Sequence, residues 1–523
     1  MTRRDLLTLI GRIAGSAAMY QAMTSLAFAS DSTFAQPTDL RGAPKGASIL
    51  ILGAGLAGMV AAYELRKAGY RVQILEYQNR AGGRNWSIYG GDVYTELGGF
   101  TQRVGFDKGQ YLNAGPWRIP YHHRGILHYA KTLGVAMEPF IEINYAAYLH
   151  STRAFGGKPQ RFRAVKADYE GYLAELLSKA AHQQSLDQLV SKEDREILLE
   201  SLRSWGALDQ DFKYGKSRSS SRRRGYDQPP GGGLAGAPTL SEPIGLSDIL
   251  KSRLWEQLSD SNVFEDQQTM FQPVGGMGMI GRAFGKALDG VIRYNAKVTN
   301  IQQDEKGVTV TFVDAVKGGA PQTARADGCI CTIPATVLSQ IPMNVGAPMQ
   351  AAINNLPYLA AVKVGLQMKR RFWEEDDGIY GGITYTDQSI NRISYPSTDY
   401  FKPGKGVLLG AYMFGPAAIE YTAMSPEKRI ARAVEEGAKI HPQYRTEFET
   451  GVSVAWHRVP WILGCSALSW NQDNEQQYQD LCALDGRIVL AGEHASRITA
   501  WQEGAVLSSL DAISRLHKRL VQS

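Results

Sequence analysis

The chain has 523 residues, of which 44% are hydrophobic and 21% charged, so general disorder is excluded and two or three domains are expected. The net charge of +6 comes from charges of both signs spread along the chain, which gives no indication of a nucleic-acid partner. Four cysteines are too few for a disulfide framework, and neither their spacing nor the histidines indicate a metal site.

The first 30 residues differ from the rest of the chain. Arg3 and Arg4 precede a weakly hydrophobic stretch that runs to about Leu26, and Ala27-Phe28-Ala29 has the small-x-small pattern of a cleavage site. We predict a twin-arginine-type signal peptide over residues 1–30, and therefore a periplasmic or secreted protein. The alternative is a basic, mobile N-terminus. No later apolar run approaches 20 residues, so an integral membrane protein is not expected.

The next segment has the pattern of a β-α-β unit. Ala47 to Leu52 predicts a buried parallel strand, Met59 to Ala68 a helix, and Tyr70 to Glu76 a second strand. Between the first strand and the helix stands Gly-Ala-Gly-Leu-Ala-Gly, residues 53–58, which in this context is a dinucleotide-binding fingerprint. Glu76 is placed to accept hydrogen bonds from an adenosine ribose and to repel a 2'-phosphate, so NADP is disfavoured.

The middle of the chain is predicted to be helical from about Val165 to Gln257. Lys216 to Gly236 is rich in Ser, Arg, Gly and Pro and predicts an exposed, flexible loop, to which we assign residues 213–238. A second glycine pattern at Gly276 to Gly281 has no clear strand before it and no acidic residue at the ribose position. We therefore interpret it as a glycine-rich turn.

Further strands follow in the second half of the chain. Val291 to Phe312 alternates apolar and polar residues, and Asp327 to Ile333 is apolar, with Cys329 and Cys331 on one face as buried packing residues. Ala361 to Met368 and Gly406 to Tyr412 predict a second sheet. Arg487 to Ala491 predicts a last strand before a helix from about Glu503 to Leu520.

Two further motifs distinguish among the nucleotide cofactors. Arg80-Ala81-Gly82-Gly83-Arg84 follows the second strand, and Val489-Leu490-Ala491-Gly492-Glu493-His494 lies near the C-terminus. Together they resemble the flavin amine oxidase superfamily, and the resemblance covers about Ser48 to Leu516. It implies an α/β fold: a Rossmann-type FAD-binding domain with an α+β, mixed-sheet substrate domain and a helical insertion.

The resemblance also implies domain ranges and a set of cofactor contacts. We expect the FAD-binding domain at 46–100, 268–350 and 479–523, the substrate domain at 101–160 and 351–478, and the helical domain at 161–267. The residues expected to hold FAD are Gly53, Gly55, Leu56, Ala57, Gly58, Glu76, Gly82, Gly83, Arg84, Gly115, Pro116, Trp117, Arg118, Val298, Gly492, Glu493, Trp501, Gly504 and Ala505.

The segment Asn113 to Pro120 is similar to the motif of L-amino acid oxidases in which an arginine binds the substrate α-carboxylate. That arginine falls on Arg118, whose guanidinium fork matches a carboxylate. Without the motif, the residue would more often be a surface or structural arginine. By the same resemblance, the run from Phe372 to Pro396 places on Tyr395 a second contact to the carboxylate, although a tyrosine beside a proline is also an ordinary packing residue.

Four further residues receive roles from the resemblance. Lys363, a single charge in an apolar strand, matches the lysine that holds a water near flavin N5; the alternative is an exposed strand position. Trp501 corresponds to an aromatic wall beside the substrate amine, and the Ala500 carbonyl to its acceptor. Cys465 lies where monoamine oxidases carry a covalently bound flavin, but L-amino acid oxidases generally hold FAD noncovalently, which is our expectation here.

The predicted activity is FAD-dependent oxidation of an L-amino acid by hydride transfer from Cα to flavin N5. Water would then yield the 2-oxo acid and ammonia, and O2 would reoxidise the flavin and give hydrogen peroxide. Alternatives in the superfamily are an amine or polyamine oxidase and an amino acid 2-monooxygenase; a non-enzymatic binding protein is more remote. The side-chain preference and a homo-oligomeric state stay open, since a basic substrate would need a carboxylate deep in the pocket that the sequence does not identify.

Overall fold

The computed structural model describes residues 32–183, 190–234, 236–468, 470 and 472–522, so the predicted signal peptide lies outside the described residues. A β-α-β unit opens the fold, with strand Ser48–Leu52, helix Leu56–Lys67 and strand Arg71–Leu75. The two strands pair in parallel, as predicted, and Gly328–Cys331 pairs in parallel with the other edge of Ser48–Leu52.

These strands belong to a six-stranded sheet that is covered on both faces. Ile49 and Ile51 pack against helices, whereas Leu50 and Leu52 pack toward an antiparallel three-stranded sheet, because successive residues of a strand point to opposite faces. Cys329 and Cys331 share the second of these faces and are fully buried, as predicted. The strands in spatial order are Ile292–Arg293, Arg71–Leu75, Ser48–Leu52, Gly328–Cys331, Ile488–Leu490 and Leu484–Asp485.

The layers on the two faces come from distant parts of the chain. The helices Leu56–Lys67, Gly278–Ala287 and Gln502–Val521 contribute to the core on one face. The three-stranded sheet on the other face comprises Ala296–Asp304, Gly307–Asp314 and Gly318–Ala326. This arrangement confirms the predicted α/β class.

A seven-stranded mixed sheet forms the second large layer. Only Tyr148–His150 and Ile383–Thr386 pair in parallel in it, and the other described neighbours are antiparallel. In the strand Ala361–Met368, Val362 and Val364 face one core, which leaves Lys363 on the opposite face. The strands in spatial order are Gln160–Arg161, Tyr148–His150, Ile383–Thr386, Arg392–Ser394, Gly406–Phe414, Ala361–Met368 and Phe448–Ala455.

The prediction of an exposed loop at residues 213–238 is wrong for its first half. Residues Arg218–Arg224 form a helix, begun by a capping box at Ser217. Arg224 is buried and bonds the Asp168 carboxylate at 2.7 Å, and Tyr214 donates to the same carboxylate at 2.6 Å. A charge paired in this way can be buried, so Arg224 is structural, whereas Arg222 and Arg223 are exposed as predicted.

This helix belongs to the helical part of the chain, whose elements were placed broadly as predicted. They are Phe162–His182, Lys192–Gly206, Arg218–Arg224, Leu246–Ser252 and the 3-10 turns Leu254–Asn262 and Phe264–Asp266.

The second glycine pattern is preceded by a strand, contrary to the sequence-based interpretation. Met270–Pro273 is the middle strand of an antiparallel three-stranded sheet, and the helix Gly278–Ala287 follows the glycines. Because its partners are antiparallel and outside the six-stranded sheet, this is not a second nucleotide-binding unit.

The remaining elements connect these layers. The short strands are Ser87–Tyr89, Val93–Thr95, Thr101–Arg103, Tyr111–Asn113, Ile119–Pro120 and Met137–Phe140. The helices and 3-10 turns are Arg124–Thr132, Phe155–Gly157, Ala335–Leu338, Ala347–Asn354, Phe372–Glu375, Gly415–Ala423, Pro426–Gly437, Tyr444–Glu447, Trp456–Arg458, Gln472–Asn474, Glu475–Cys482 and Glu493–Ala495. None of the helices described has both the length and the apolar character needed to cross a membrane.

Candidate active site

The turn between Ser48–Leu52 and the following helix is built for close approach to its backbone. Gly53 has a φ of +103°, and a Cβ added at Gly58 would lie 2.0 Å from the Gly53 carbonyl oxygen. A Cβ at Gly55 would meet nothing within 4 Å, so the space in front of this glycine is open. No side chain caps the helix, which leaves its first N–H groups and its positive dipole end for an anion.

Glu76 lies at the end of the second strand, beside this turn. Its carboxylate accepts hydrogen bonds from the backbone N–H of Ala54 and from that of Gln78 at 2.7 Å. Burial raises the pKa of Glu76, although these two donors act in the opposite direction. A cavity of about 90 Å³ lies here, and its lining includes the predicted residues Gly53, Gly55, Glu76, Gly83, Arg84 and Val298. The structure therefore brings the residues predicted for the nucleotide end together around one cavity.

The Arg84 guanidinium links this end to the C-terminal motif. Its Nη1 donates to Glu493 Oε1 at 2.6 Å and to the Cys465 carbonyl at 2.9 Å. Glu493 Oε2 also accepts from the Ala500 N–H at 3.0 Å. The Glu493 carboxylate is therefore satisfied by protein groups, and it orders the loop that precedes the C-terminal helix.

Several predicted glycines line neither cavity but are confined by neighbouring backbone. An added Cβ would lie 1.8 Å from the Arg84 carbonyl oxygen at Gly115, and 2.0 Å from that of Ile498 at Gly504. Gly82 and Gly492 have φ values of +108° and +141°, which favour glycine. Leu56, Ala57 and Ala505 lie in the first turns of the two helices that begin at Leu56 and Gln502.

A larger cavity of about 530 Å³ lies between the start of the C-terminal helix and the seven-stranded sheet. The structure brings the predicted residues Pro116, Trp117, Arg118, Ala500 and Trp501 together in its wall. Residues that the sequence did not indicate line it too, among them Glu142, Glu265, Asp266, Arg392, Tyr412 and Gln502.

Arg118 is the central cation of this cavity. Its guanidinium lies 5.1 Å from the Trp117 ring and 5.5 Å from the Trp501 ring, and it is 9% exposed. Its Nη2 bonds Asp266 at 2.7 Å and its Nε lies 3.1 Å from Glu142 Oε2. Burial alone would lower the pKa of Arg118, but these two carboxylates outweigh burial and raise it. The guanidinium is therefore charged, and two side-chain carboxylates already bind it.

The prediction that Tyr395 contacts the substrate is not supported by its position. The hydroxyl group bonds Thr384 Oγ1 at 2.7 Å and His441 Nε2 at 2.6 Å, within a core on the far side of the sheet. Arg392 lies three residues earlier in the same strand region and lines the large cavity. Positions of odd separation point to opposite faces of a strand, so Tyr395 is directed away from the cavity that Arg392 faces.

Lys363 is buried rather than exposed at its strand position. Its Nζ donates to the carbonyls of Asn113 and Gly115 and lies 4.4 Å from the Tyr412 ring and 5.0 Å from the Trp117 ring. Burial lowers the pKa of Lys363 to about 7. The amine does not line the large cavity itself, but it bonds the segment that carries Trp117 and Arg118.

Cys465 lines the large cavity. Burial raises the pKa of its thiol to about 11, which leaves it un-ionised and weakly nucleophilic at neutral pH. Within the residues that the structure describes, no group of histidines, cysteines and carboxylates could hold a metal ion.

The two cavities together fit the predicted FAD. Arg84 lines the nucleotide end, and its bond to the Cys465 carbonyl connects it to a residue of the large cavity. Within the described part of the chain, Asn85 Nδ2 is buried without a hydrogen-bond partner, while Asn85 Oδ1 accepts from Gln502, a lining residue. A buried donor of this kind is suited to a bound polar ligand.

Comparisons with known proteins identify the family of the chain. A family model described as flavin containing amine oxidoreductase matches residues 56–516. A putative L-amino-acid oxidase of Bacillus subtilis (strain 168) is 29% identical over 480 residues, 88% of this chain and 93% of the relative. The L-amino-acid oxidase of Siganus canaliculatus is 28% identical over 482 residues, 90% of this chain and 85% of the relative.

Among solved structures, cyclohexylamine oxidase from Brevibacterium oxydans IH-35A superposes with a TM-score of 0.59 at 16% identity, over 91% of this chain and 99% of that one. It shares the fold. With the family match extending over nearly the whole described chain, the resemblance predicted from the sequence is confirmed: the protein belongs to the family of flavin-containing amine oxidoreductases.

Proposed function

We propose that the protein is an FAD-dependent L-amino-acid oxidase that releases a 2-oxo acid, ammonia and hydrogen peroxide. The observation that carries the proposal is the buried Arg118 guanidinium in the wall of the large cavity, between Trp117 and Trp501. Both of its ionic partners are carboxylates, and Asp266 approaches it from the same cavity wall. The planar fork of the Arg118 guanidinium matches the geometry of a carboxylate, so the residue is suited to bind that of a substrate.

The residues around the cavity would have different roles in the reaction. Arg118 would bind and orient the substrate carboxylate, and the Trp117 and Trp501 rings would exclude water beside it. FAD, held by residues of the 53–58 turn, Glu76, Arg84 and the start of the C-terminal helix, would supply the hydride acceptor. Lys363 can hold or release a proton at Nζ near neutral pH because burial lowers its pKa to about 7.

The relatives support this choice of substrate class. Both proteins named above from Bacillus subtilis and Siganus canaliculatus are L-amino-acid oxidases by name, and each covers most of this chain. A second candidate, an amine oxidase, is favoured by one observation. Arg118 is already neutralised by Glu142 and Asp266, so an amine without a carboxylate would meet an acidic wall.

The test is a paired assay of peroxide and ammonia release. Each L-amino acid is compared with its D-enantiomer and with the amine formed by its decarboxylation. We expect turnover of L-amino acids with equal peroxide and ammonia. Faster turnover of the decarboxylated amine would replace the proposal by the amine oxidase, and an amide product without ammonia would indicate the monooxygenase.

We further propose noncovalent FAD and export. The raised pKa of the Cys465 thiol disfavours a covalent link, and release of unmodified FAD on denaturation would test this. Cleavage after Ala29 would leave Ser32 near the new N-terminus, where its hydroxyl bonds Glu503 and its carbonyl accepts from Arg124 at 2.6 Å. N-terminal sequencing of protein recovered outside the cytoplasm tests the cleavage site.

A further inference from the structure

Glu265 lies unpaired in the wall of the large cavity. It is 2% exposed, and neither carboxylate oxygen has a hydrogen-bond partner among the described residues. Burial raises the pKa of Glu265 to about 7, and the neighbouring Asp266 adds to this effect. Burying a carboxyl group without a partner costs stability, so a retained one at a cavity wall indicates a ligand that pairs with it.

The other carboxylates of this wall already have partners. Glu142 and Asp266 bind Arg118. Asp387 accepts hydrogen bonds from Ser151 Oγ at 2.9 Å and from the Thr152 N–H. Glu265 is therefore the acid of the described cavity wall that is left for an external cation.

The charge of the whole wall favours a cation as well. Its aspartates, glutamates and arginines are four acids against two bases, an excess of two negative charges when all are ionised: Glu142, Glu265, Asp266, Asp387, Arg118 and Arg392. A low-dielectric cavity of one sign concentrates ligands of the opposite sign.

We infer that the enzyme selects L-amino acids with a positively charged side chain, such as L-lysine, an inference that rests on the proposed function. Glu265 binds the side-chain ammonium, and Arg118 binds the α-carboxylate. Asp266 bonds Arg118 and is the residue next to Glu265, so the two ends of such a substrate meet their partners within one cavity wall. An uncharged side chain would leave the Glu265 carboxylate unpaired and gain less.

The competing occupant is an acidic side chain held by Arg392. That guanidinium lies 5.6 Å from the Tyr385 ring and 5.9 Å from the Tyr412 ring, and its Nε donates to Asn391. An anion at Arg392 would enter a wall with more acids than bases, so the observations favour the cation.

The experiment compares L-lysine with L-norleucine, which has the same carbon chain without the ammonium. In Glu265→Gln, we expect kcat/KM for L-lysine to fall about 30-fold or more, and that for L-norleucine to stay within about threefold. Glu256→Gln is the matched control, because burial also raises the pKa of Glu256 but this residue does not line the cavity. It should leave both substrates unchanged.

The dependence on pH gives a second measurement. Above about pH 7 Glu265 ionises, so the ratio of kcat/KM for L-lysine to that for L-norleucine should rise from pH 6 to 8 in the wild type and stay flat in Glu265→Gln. Among the described residues, the charged and titratable groups around this turn are Asp266, Glu142, Arg118 and His122, whose ring stacks on Phe264 at 4.2 Å. Glu265→Gln keeps them all, so a slope that survives in the variant belongs to them and overturns the assignment.

The experiment distinguishes loss of activity through unfolding from loss of substrate binding. Exchange of a buried, unpaired carboxylate for an amide should keep or raise Tm, so loss of activity through unfolding would be visible. Equal losses for both substrates, or a wild-type preference for L-norleucine or L-glutamate, would overturn the inference while leaving the proposed oxidase intact. Turnover of no amino acid at all would overturn the proposed function instead.

Discussion

The nucleotide edge, which comprises the turn at residues 53–58 and Glu76, differs from the large cavity in the chemical groups that it offers to a ligand. The nucleotide edge consists mostly of backbone, with Gly53 and Gly58 in a tight turn and uncapped N–H groups at the helix start. The cavity wall consists of charged side chains such as Arg118 and Glu265, brought from separate segments. Shape therefore decides binding at the first region, and charge balance decides it at the second.

The largest expected effect tests the dependence on shape. In Gly58→Ala the new Cβ would lie 2.0 Å from the Gly53 carbonyl oxygen, so the turn must distort and FAD should be lost. Purified protein should lack the yellow colour and visible absorbance of the wild type. Gly245→Ala is the control, since its Cβ would meet nothing within 4 Å and its φ is −62°. Normal flavin content in Gly58→Ala would contradict a backbone-built edge.

Arg118→Lys keeps the positive charge in the wall of the large cavity and removes the guanidinium fork. The ammonium can still pair with Glu142 and Asp266, but it lacks the planar fork. We expect kcat/KM for L-amino acids to fall about 30-fold, equivalent to about 2 kcal/mol, with little change in flavin content. Arg392→Lys changes the other arginine of the cavity in the same way. A larger loss of kcat/KM in Arg392→Lys than in Arg118→Lys would indicate that Arg392, and not Arg118, binds the substrate carboxylate.

Lys363→Met measures the cost of burying a cation next to the cavity. The folded pKa of about 7 lies below the ordinary value of 10.5, so between these values the unfolded chain binds more protons and stability rises with pH. Relative to the methionine variant, the wild type should gain about 2 kcal/mol of unfolding free energy from pH 7 to pH 9. Denaturant unfolding at the two pH values measures this difference, and a constant difference would show that the pKa is not lowered.

Glu76→Gln should produce the smallest effect, because much of the nucleotide edge is backbone. The amide keeps an acceptor for one backbone N–H and loses the charge-assisted bond to a ribose. FAD affinity should fall about tenfold, or about 1.4 kcal/mol, in titrations of the apoprotein. A loss as severe as that of Gly58→Ala would show that this region depends on charge after all.

The same contrast explains which features the sequence could predict. The β-α-β unit and its glycines are local patterns with fixed spacing, so their positions followed directly from the chain. Glu265 and Arg392 come from separate segments with no shared spacing, and only the folded sheet and the 264–266 turn bring them together. Arg224, predicted to be solvent-exposed, is buried because Asp168, 56 residues away in sequence, pairs with it.

Tyr395 shows a second limit of prediction from the sequence, which concerns the direction in which a single side chain points. The resemblance indicated this strand region, but the alternation of the strand places Ile393 and Tyr395 in the core and Arg392 at the cavity. Motif similarity fixes a segment more securely than it fixes which neighbour within the segment faces the ligand. Tyr412, on the adjacent strand, lines the cavity in place of Tyr395.

The hydrogen bond between Ser32 and Glu503 affects where a purification tag can be attached. Glu503 also accepts from the Gly125 and Ile126 N–H groups at 2.9 and 2.8 Å, and Phe34 is buried two residues after Ser32. Ser32, the first described residue, therefore contacts the helix that carries Gly504 and Ala505. Purification tags joined without a spacer just ahead of Ser32 would crowd that helix, so recombinant production is better designed with the tag at the other terminus.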